Sequence, residues 1–257
     1  GVNRISMGIQ ALNDEDLRRL GRIHSVAEAR AAFDVARGCF DRVSFDLIYA
    51  RQGQSLADWQ GELKQALSMA IDHLSLYQLT IEEGTAFGDR YARGKLRNLP
   101  TDDTAADMYQ ATQDICMEQG MPAYEVSNHA RLGSESRHNL IYWRYGDYIG
   151  IEPGAHGRLT LNGQRFATES IRAPGAWLQS VSEGSGDCVN VGLTPDEYSA
   201  EHLMMGMRLV EGINTDRYTQ LAQHPLPQDK VHDLLNMGMV VQSGSILRAT
   251  DQGRAVL

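Results

Sequence analysis

Cysteine is scarce in this 257-residue sequence, which has only Cys39, Cys116 and Cys188. The three are far apart and odd in number, and no two of them form a C-x-x-C pair. The sequence therefore encodes neither a disulfide framework nor a cysteine metal clip. This pattern predicts buried, reduced thiols in a cytoplasmic protein.

Runs of positive charge and long apolar runs are also missing. The formal net charge is −9, which argues against a general affinity for nucleic acid or for anionic lipid. No stretch is long and apolar enough to be an integral membrane segment, and none has the pattern of a signal peptide. The sequence starts at Gly1 and enters a predicted strand almost at once, so we expect that Gly1 is not the natural start.

Strands and helices alternate through the first half of the sequence. Short segments rich in apolar and aromatic residues predict buried parallel strands at 4–10, 43–49, 73–79 and 122–127. Amphipathic segments predict helices at 14–20, 26–38, 56–70 and 102–119, with Asn13, Ser25, Ser55 and Thr101 as their N-caps. This alternation is typical of an α/β fold with a parallel sheet.

The second half has a different pattern. Residues 138–160 predict antiparallel or irregular structure. Thr194 followed by Pro195 predicts the start of a helix that runs to about residue 212. Two short helices and a hairpin turning at 243–245 follow, an arrangement similar to a winged-helix module. A plain packing domain is the alternative, and the acidic balance favours it over DNA binding.

Polar residues stand at the ends of the predicted strands, where parallel α/β folds bind their ligands. Gln10 ends the first strand, Asp46 lies in the second half of the next, and Thr80 follows the third. A carboxylate and an amide suit ribose hydroxyls, and Arg22 could reach a ligand carboxylate. Asp46 could instead cap a turn, and Arg22 could form a surface ion pair. Together these residues predict a nucleoside-like ligand.

Histidines and aromatic residues cluster further along the chain. His129 is followed by the run His138, Asn139, Tyr142 and Trp143. Imidazole is a common metal ligand and the usual proximal ligand of haem iron, and aromatic rings suit a flat macrocycle. A structural histidine is the alternative that the residues alone favour.

Glycines cluster around His156, at Gly150, Gly154 and Gly157. Such glycines allow the backbone to approach a ligand closely. The spacing is not that of a dinucleotide-binding fingerprint. His156 could line a ligand site or cap a turn.

Several longer runs carry a resemblance to a known family. They are GVNRISMGIQ, FDLIYARQGQSLADW, HLSLYQLTIEEGTAF, YEVSNHA, RHNLIYWRYGDYIGIEPGAHG and EYSAEHLMMGMRLVEGI. Along nearly its whole length the sequence resembles the radical-SAM proteins related to oxygen-independent coproporphyrinogen III oxidase. The H-N-x-x-Y-W run, His138 to Trp143, is similar to the haem-chaperone branch of that family.

The resemblance implies a fold and two binding sites. It implies that residues 1–182 are the C-terminal portion of a partial TIM-like barrel and that residues 183–257 form a smaller helical, winged-helix-like domain. It also implies S-adenosylmethionine binding by Gln10, Arg22, Asp46, Thr80 and His156. Haem binding is implied at His138, as the iron ligand, together with Asn139, Tyr142 and Trp143.

The sequence departs from the family in lacking the C-x-x-x-C-x-x-C motif that binds a [4Fe–4S] cluster. Cluster iron requires cysteine thiolates, and the three cysteines here stand on separate predicted elements. The resemblance thus implies a cluster in the full-length protein only, with no iron–sulfur ligands in this chain.

Three functional hypotheses follow. The first is a haem chaperone that delivers haem to membrane respiratory enzymes. The second is an enzyme, the coproporphyrinogen III oxidase that forms protoporphyrinogen IX by radical decarboxylation, and the third is an inert fragment with an exposed sheet edge. The His138–Trp143 run favours the chaperone, and whether the protein is also an enzyme stays open.

Overall fold

The computed structural model describes residues 2–257, and the chain divides into two compact units. They are Gly1–Glu135 and Ser136–Leu257. The sequence predicts a domain boundary at another place, between residues 182 and 183, and that boundary stays a prediction. Within residues 2–257, the helices are all too short or too polar to cross a membrane.

The first unit alternates strands and helices, as the sequence predicts. Its elements are β1 (Arg4–Gln10), α1 (Asp14–Arg19), α2 (Val26–Cys39), β2 (Arg42–Tyr49), α3 (Leu56–Met69), β3 (His73–Gln78), α4 (Ala86–Ala92), α5 (Asp102–Glu118) and β4 (Asn128–Ala130). The side chains of Asn13, Ser25, Ser55 and Thr101 accept backbone N–H groups at the four predicted helix starts. The predicted caps are therefore confirmed, whereas α4 was not predicted.

The sheet of the first unit has the order β1-β2-β3-β4. Strands β1, β2 and β3 are parallel, as predicted, but β4 runs antiparallel to β3. The parallel strand predicted at 122–127 is wrong. The Glu125 carboxylate accepts the Ser127 N–H at 2.9 Å, so the chain turns there. Residues 122–124 instead form the outer arm of a hairpin with β4, in which Tyr124 N–H donates to Asn128 O at 3.1 Å.

The two faces of this sheet differ in polarity. One face carries the apolar core, in which Phe45, Leu47, Leu74 and Leu76 pack with Trp59 and other residues of the helices. The other face carries a polar row, in which Gly8, Asp46, Ser75 and Asn128 lie in register across all four strands. This polar row crosses the sheet two residues before the end of β1.

The second unit contains short helices and two three-stranded antiparallel sheets. Its elements are α6 (Arg137–Trp143), β5 (His156–Leu161), β6 (Gln164–Ser170), α7 (Pro174–Ser182), β7 (Asp187–Gly192), α8 (Pro195–Gly206), β8 (Ile213–Asn214), α9 (Thr215–Ala222), α10 (Gln228–Asn236), β9 (Val240–Ser243), β10 (Ile246–Ala249) and α11 (Asp251–Arg254). The sheet orders are β5-β6-β7 and β8-β10-β9. The two short helices and the terminal hairpin predicted from the sequence are confirmed.

Two predictions for the second unit are wrong. Residues 137–143 are helical, because the Ser136 side chain caps α6, whereas irregular or antiparallel structure was expected there. The helix that starts at Thr194 ends at Gly206 rather than near residue 212. After Met207 the backbone closes tighter bonds three residues back, such as Leu209 N–H to Gly206 O at 3.1 Å.

Candidate functional site

Two of the predicted binding side chains meet above a glycine at the end of β1. Gly8 is the register partner of Asp46 on β2. A Cβ atom on Gly8 would lie 3.5 Å from Gln10 Nε2 and 3.8 Å from Asp46 Oδ1. Both side chains therefore flank one position on the polar face, and the glycine leaves that position open. We call Gly8, Gln10 and Asp46 the strand-end site.

The strand-end site holds two hydrogen-bond acceptors that need a donor. Gln10 Oε1 and Asp46 Oδ1 are buried, and neither has a partner. Burial raises the pKa of Asp46, against the opposing effects of nearby backbone N–H groups and of the Arg22 charge. An unsatisfied buried acceptor costs about 1–3 kcal/mol, and ribose hydroxyls are donors that would satisfy both. The residues present thus fit the ribose of an adenosyl group.

The backbone at these strand ends is unusual. Gln10 has a φ angle of 70° and Ala50, just after β2, has a φ angle of 56°. Such left-handed conformations in residues other than glycine cost about 1–3 kcal/mol and persist only where surrounding contacts impose them. The pairing of β1 with β2 also shifts register between Gly8 and Gln10. The strand-end site is therefore built on strained backbone.

Of the three other residues predicted to bind the same ligand, only Arg22 has a recorded interaction with the strand-end site. Arg22 is exposed, and its charge partly offsets the rise that burial causes in the pKa of Asp46, so Arg22 belongs to the neighbourhood of the strand-end site. Thr80 is exposed two residues beyond β3. His156 is the first residue of β5 in the second unit, where its Nδ1 lies 3.6 Å from Glu169 Oε1. The ligand roles of Thr80 and His156 stay predictions.

A buried polar chain extends from this row, and sequence reasoning missed it. Ser75 Oγ donates to Asn128 Oδ1 at 2.6 Å, and Asn128 Nδ2 donates to Glu125 Oε1 at 2.6 Å. Glu125 is fully buried. The signal in the sequence is that Asp46 and Ser75 each stand between apolar residues of a strand, which indicates a polar second face rather than a strand buried on both sides.

A second group of charged residues, also missed, lies under the loops that follow β1 and β2. Arg51 Nη2 contacts Asp16 Oδ2 at 2.9 Å and Glu62 Oε2 at 2.6 Å. The Arg51 side chain is only 4% exposed, so both carboxylates are held against a buried cation. These residues, with Leu12 and Gln54, line part of a polar cavity of about 540 Å³.

The candidate haem residues lie on α6 of the second unit. His138 is exposed, and its Nε2 shares a hydrogen bond with the hydroxyl of Tyr142 one turn further on. The two rings are edge to face with centroids 4.7 Å apart, and Tyr142 packs against Tyr148 in the same way at 4.5 Å. Burial, followed by the neighbouring Tyr148, raises the pKa of Tyr142, so its hydroxyl keeps its proton. The structure thus groups His138 with two tyrosines.

The remaining residues of the H-N-x-x-Y-W run have other neighbours. Asn139 N–H donates to the capping hydroxyl of Ser136 at 3.4 Å. Trp143 stacks against the guanidinium of Arg208, whose carbon lies 4.5 Å from the ring centroid, and the Trp143 Nε1 atom is buried without a partner. Because residues four apart share a face of a helix, His138 and Tyr142 form one face and Asn139 and Trp143 the next.

The cysteines do not fit an iron–sulfur cluster. Cys39 is exposed at the end of α2, Cys116 is buried within α5, and Cys188 is exposed on β7 of the second unit. The prediction of buried thiols is therefore right for Cys116 and wrong for the other two. Burial raises the pKa of the Cys116 thiol to about 12, which disfavours the thiolate that cluster iron requires. Residues 2–257 also contain no group of three or more histidine, cysteine or acidic side chains placed to hold a metal ion.

Comparison with known proteins identifies the family. The model of the HemN C-terminal domain matches residues 193–256. The chain is 39% identical over 259 residues to "Radical S-adenosyl methionine domain-containing protein 1, mitochondrial" of Danio rerio, covering 98% of the chain and 58% of that protein. It is 35% identical over 262 residues to "Heme chaperone HemW" of Escherichia coli, covering 100% of the chain and 67% of that protein. The chain belongs to the HemN-like haem chaperone family.

The fold agrees with this family. The structure of coproporphyrinogen III oxidase (HemN) from Escherichia coli, described as a radical SAM enzyme, matches with a TM-score of 0.76. That match covers 100% of the chain and 62% of the HemN chain at 20% identity, so it concerns the fold alone. The chain spans 58% to 64% of the length of the mitochondrial relatives that it matches.

Proposed function

We propose that the protein binds haem and delivers it to respiratory enzymes, with His138 as the ligand of the haem iron. The observation that carries this proposal is the exposed imidazole of His138 on α6, beside the rings of Tyr142 and Tyr148. An exposed imidazole is reachable by haem iron, and neighbouring aromatic rings suit the face of a porphyrin. The relatives named heme chaperone support this function over the oxidase alternative.

The proposal includes S-adenosylmethionine as a second ligand. Its ribose hydroxyls would donate to Gln10 Oε1 and Asp46 Oδ1 above Gly8, and Arg22 would face its carboxylate. The unpartnered buried acceptors support this placement. The methionine sulfonium is the reactive group that this cofactor supplies when bound. Thr80 and His156 are further proposed contacts.

The finer architecture is proposed on the same basis. The parallel strands β1, β2 and β3, with helices on one face and polar side chains on the other, would form part of a TIM-like barrel whose polar face lines the interior. The C-terminal helices with the β9–β10 hairpin would form a winged-helix-like domain. A [4Fe–4S] cluster would be held by cysteines outside residues 1–257, and the protein would work in the cytoplasm.

Haem titration tests the main function. Ferric haem is added to the protein, in a form that includes any residues preceding Gly1, and the Soret band is followed. We expect His138→Ala to lose the imidazole-bound spectrum. His232→Ala, which removes another exposed histidine of the second unit, should leave the spectrum unchanged. Identical spectra for the original protein and His138→Ala would remove His138 from the haem site.

A parallel assay addresses the alternative function. Protein that includes any residues preceding Gly1 is reconstituted anaerobically with iron and sulfide. It is then incubated with coproporphyrinogen III, S-adenosylmethionine and a reductant, and the products are separated by chromatography. Formation of protoporphyrinogen IX over many turnovers would favour the oxidase over the chaperone. We expect haem uptake without that turnover.

A further inference from the structure

One carboxylate in the first unit touches both loops that leave the strand-end site. Glu62 Oε1 accepts the backbone N–H of Leu12 at 2.6 Å, two residues after Gln10. Glu62 Oε2 accepts from Arg51 Nη2 at 2.6 Å and from Gln54 Nε2 at 3.1 Å, in the loop after β2. The Glu62 side chain is only 10% exposed, so these bonds are largely shielded from water. Each of its two oxygens therefore serves a different loop.

The Arg51 side chain links Glu62 to β2. Its Nη1 donates to the carbonyl of Ile48, two residues after Asp46, and its backbone N–H donates to Gln54 Oε1 at 3.3 Å. Ala50, between these groups, has the left-handed backbone noted above. The loop after β2 is thus fixed from both sides of Ala50. A left-handed residue other than glycine needs such restraint to persist.

Gln10 at the end of β1 resembles Ala50 after β2, because its left-handed backbone also needs restraint. It is left-handed, and the first restraint on the loop beyond its neighbour Ala11 is the bond from Leu12 N–H to Glu62. Rotation of the backbone at Gln10 would swing its amide away from Asp46. The restraint at Leu12 therefore helps to keep the Gln10 amide beside Asp46.

We propose that Glu62 is a positioning residue, which holds the loops after β1 and β2 so that Gln10 and Asp46 present their acceptors to the same ligand. Glu62 acts through backbone and through Arg51, since its own oxygens are occupied by Leu12, Arg51 and Gln54. This inference rests on the proposed adenosyl site and adds a residue whose position in α3 gives no sign of a ligand role.

Asp16 supplies a matched control within the same network. It lies on α1 and shares Arg51 with Glu62, at 2.9 Å. The Leu12 N–H bonds to Glu62 and not to Asp16. Glu62→Gln and Asp16→Asn each remove one negative charge beside Arg51, but only the first weakens the bond to the loop after β1. If the network only stabilised the fold, both substitutions would weaken analogue binding to the same extent.

The experiment measures binding of S-adenosylhomocysteine, a stable analogue that needs no cluster, by calorimetry, together with amide hydrogen exchange at Leu12. We expect Glu62→Gln to bind at least tenfold more weakly and to exchange faster at Leu12. Asp16→Asn should bind within twofold of the original protein, although both variants lower the Tm. If Glu62→Gln does not fold, Glu62→Asp takes its place, because it keeps the charge but is one methylene shorter.

Three results would count against these claims. Unchanged affinity in the Glu62 variant would overturn the positioning role. An equal loss of affinity in Asp16→Asn would also overturn it, because the network would then act only through stability. Failure of the unsubstituted protein to bind the analogue would instead refute the adenosyl site of the proposed function.

Discussion

The Nε2 atom of His138 and the hydroxyl of Tyr142 share a hydrogen bond across one turn of α6. Whichever of the two groups donates, the contact occupies the ring nitrogen that points away from the backbone. Haem iron bound at this nitrogen would displace the tyrosine hydroxyl. The imidazole therefore cannot bind iron through Nε2 while it keeps its hydrogen bond to Tyr142.

Removing the competing hydroxyl should strengthen haem binding. A hydrogen bond between side chains contributes about 0.5–1.5 kcal/mol net, so we expect Tyr142→Phe to bind ferric haem about two- to tenfold more tightly. The phenyl ring keeps the edge-to-face contacts with His138 and Tyr148. Fluorescence quenching titrations with haem measure the change.

Tyr148→Phe is the control for this prediction, because it removes a hydroxyl from the same aromatic group and leaves the bond to His138 in place. Its haem affinity should not change. Weaker binding by Tyr142→Phe would mean that the Tyr142 hydroxyl contributes to the haem site rather than competing with it.

The open position above Gly8 can be filled by a single methyl group. A Cβ atom there makes only ordinary contacts, at 3.5 Å from Gln10 and 3.8 Å from Asp46. Gly8→Ala should therefore fold and gain about 0.4–1 kcal/mol from reduced freedom of the unfolded chain. The methyl group would occupy the space between Gln10 Nε2 and Asp46 Oδ1, so we expect at least tenfold weaker binding of S-adenosylhomocysteine by calorimetry.

Gly38→Ala on α2 is the matched control, since a Cβ atom on Gly38 meets nothing within 4 Å. It should raise stability in the same way without affecting the analogue. If Gly8→Ala binds the analogue as the original protein does, the ligand does not pass above Gly8.

Much of the first unit can be predicted from local sequence patterns. The strands β1, β2 and β3 are short apolar segments, and the capping side chains of Asn13 and Ser25 mark the helix starts by local hydrogen bonds. The hairpin at β4 escaped prediction because it depends on the Glu125 side chain bonding to the backbone of Ser127. An apolar pattern carries no sign of such a turn.

The candidate site residues likewise include some that the sequence predicts and some that it does not. Gln10 and Asp46 can be predicted because ligands bind at strand ends, and the structure brings them together at Gly8. Glu62 and Arg51 could not be predicted, since their partners stand 50 residues away for Leu12 and 35 residues away for Asp16. Contacts of that separation follow from the register of the sheet and not from local spacing.

Replacing Asp46 by asparagine should raise the stability of the protein and weaken its binding of the analogue. Its pKa is raised by burial, so the ionised carboxylate destabilises the fold above the ordinary value of 3.8, and the penalty fades as acidification protonates it. Asp46→Asn should therefore raise the Tm at pH 7, with a gain that shrinks toward pH 4. The same change should weaken analogue binding by about 1–3 kcal/mol, because an ionised acceptor is lost.

Asp58 provides a control of opposite sign. Its hydrogen bonds to the side chain and backbone of Ser55 lower its pKa, so Asp58→Asn should reduce the Tm at pH 7. Thermal melts of both variants between pH 4 and pH 7 make the comparison. A lower Tm for Asp46→Asn at neutral pH would show that the carboxylate is already stabilised by partners in the free protein.

His129 makes the first unit sensitive to acid. The residue is fully buried, neither ring nitrogen has a partner, and burial lowers its pKa from 6.5 to about 4. Below pH 6.5 His129 therefore binds a proton in the unfolded chain but not in the folded chain. Stability falls as the pH falls from 6.5 toward 4. We expect this histidine to contribute a loss on the order of 3 kcal/mol over that range.

Replacing His129 by leucine should remove that part of the acid sensitivity. The free energy of unfolding, measured with urea at pH 7, 6, 5 and 4, should fall less steeply for His129→Leu than for the original protein. Some slope should persist, because burial and the nearby Arg4 charge also lower the pKa of His73, to about 3. His232→Asn, at an exposed histidine, should follow the original curve. Parallel curves for the original protein and His129→Leu would mean that the buried imidazole accepts a proton as readily in the folded chain as in the unfolded one.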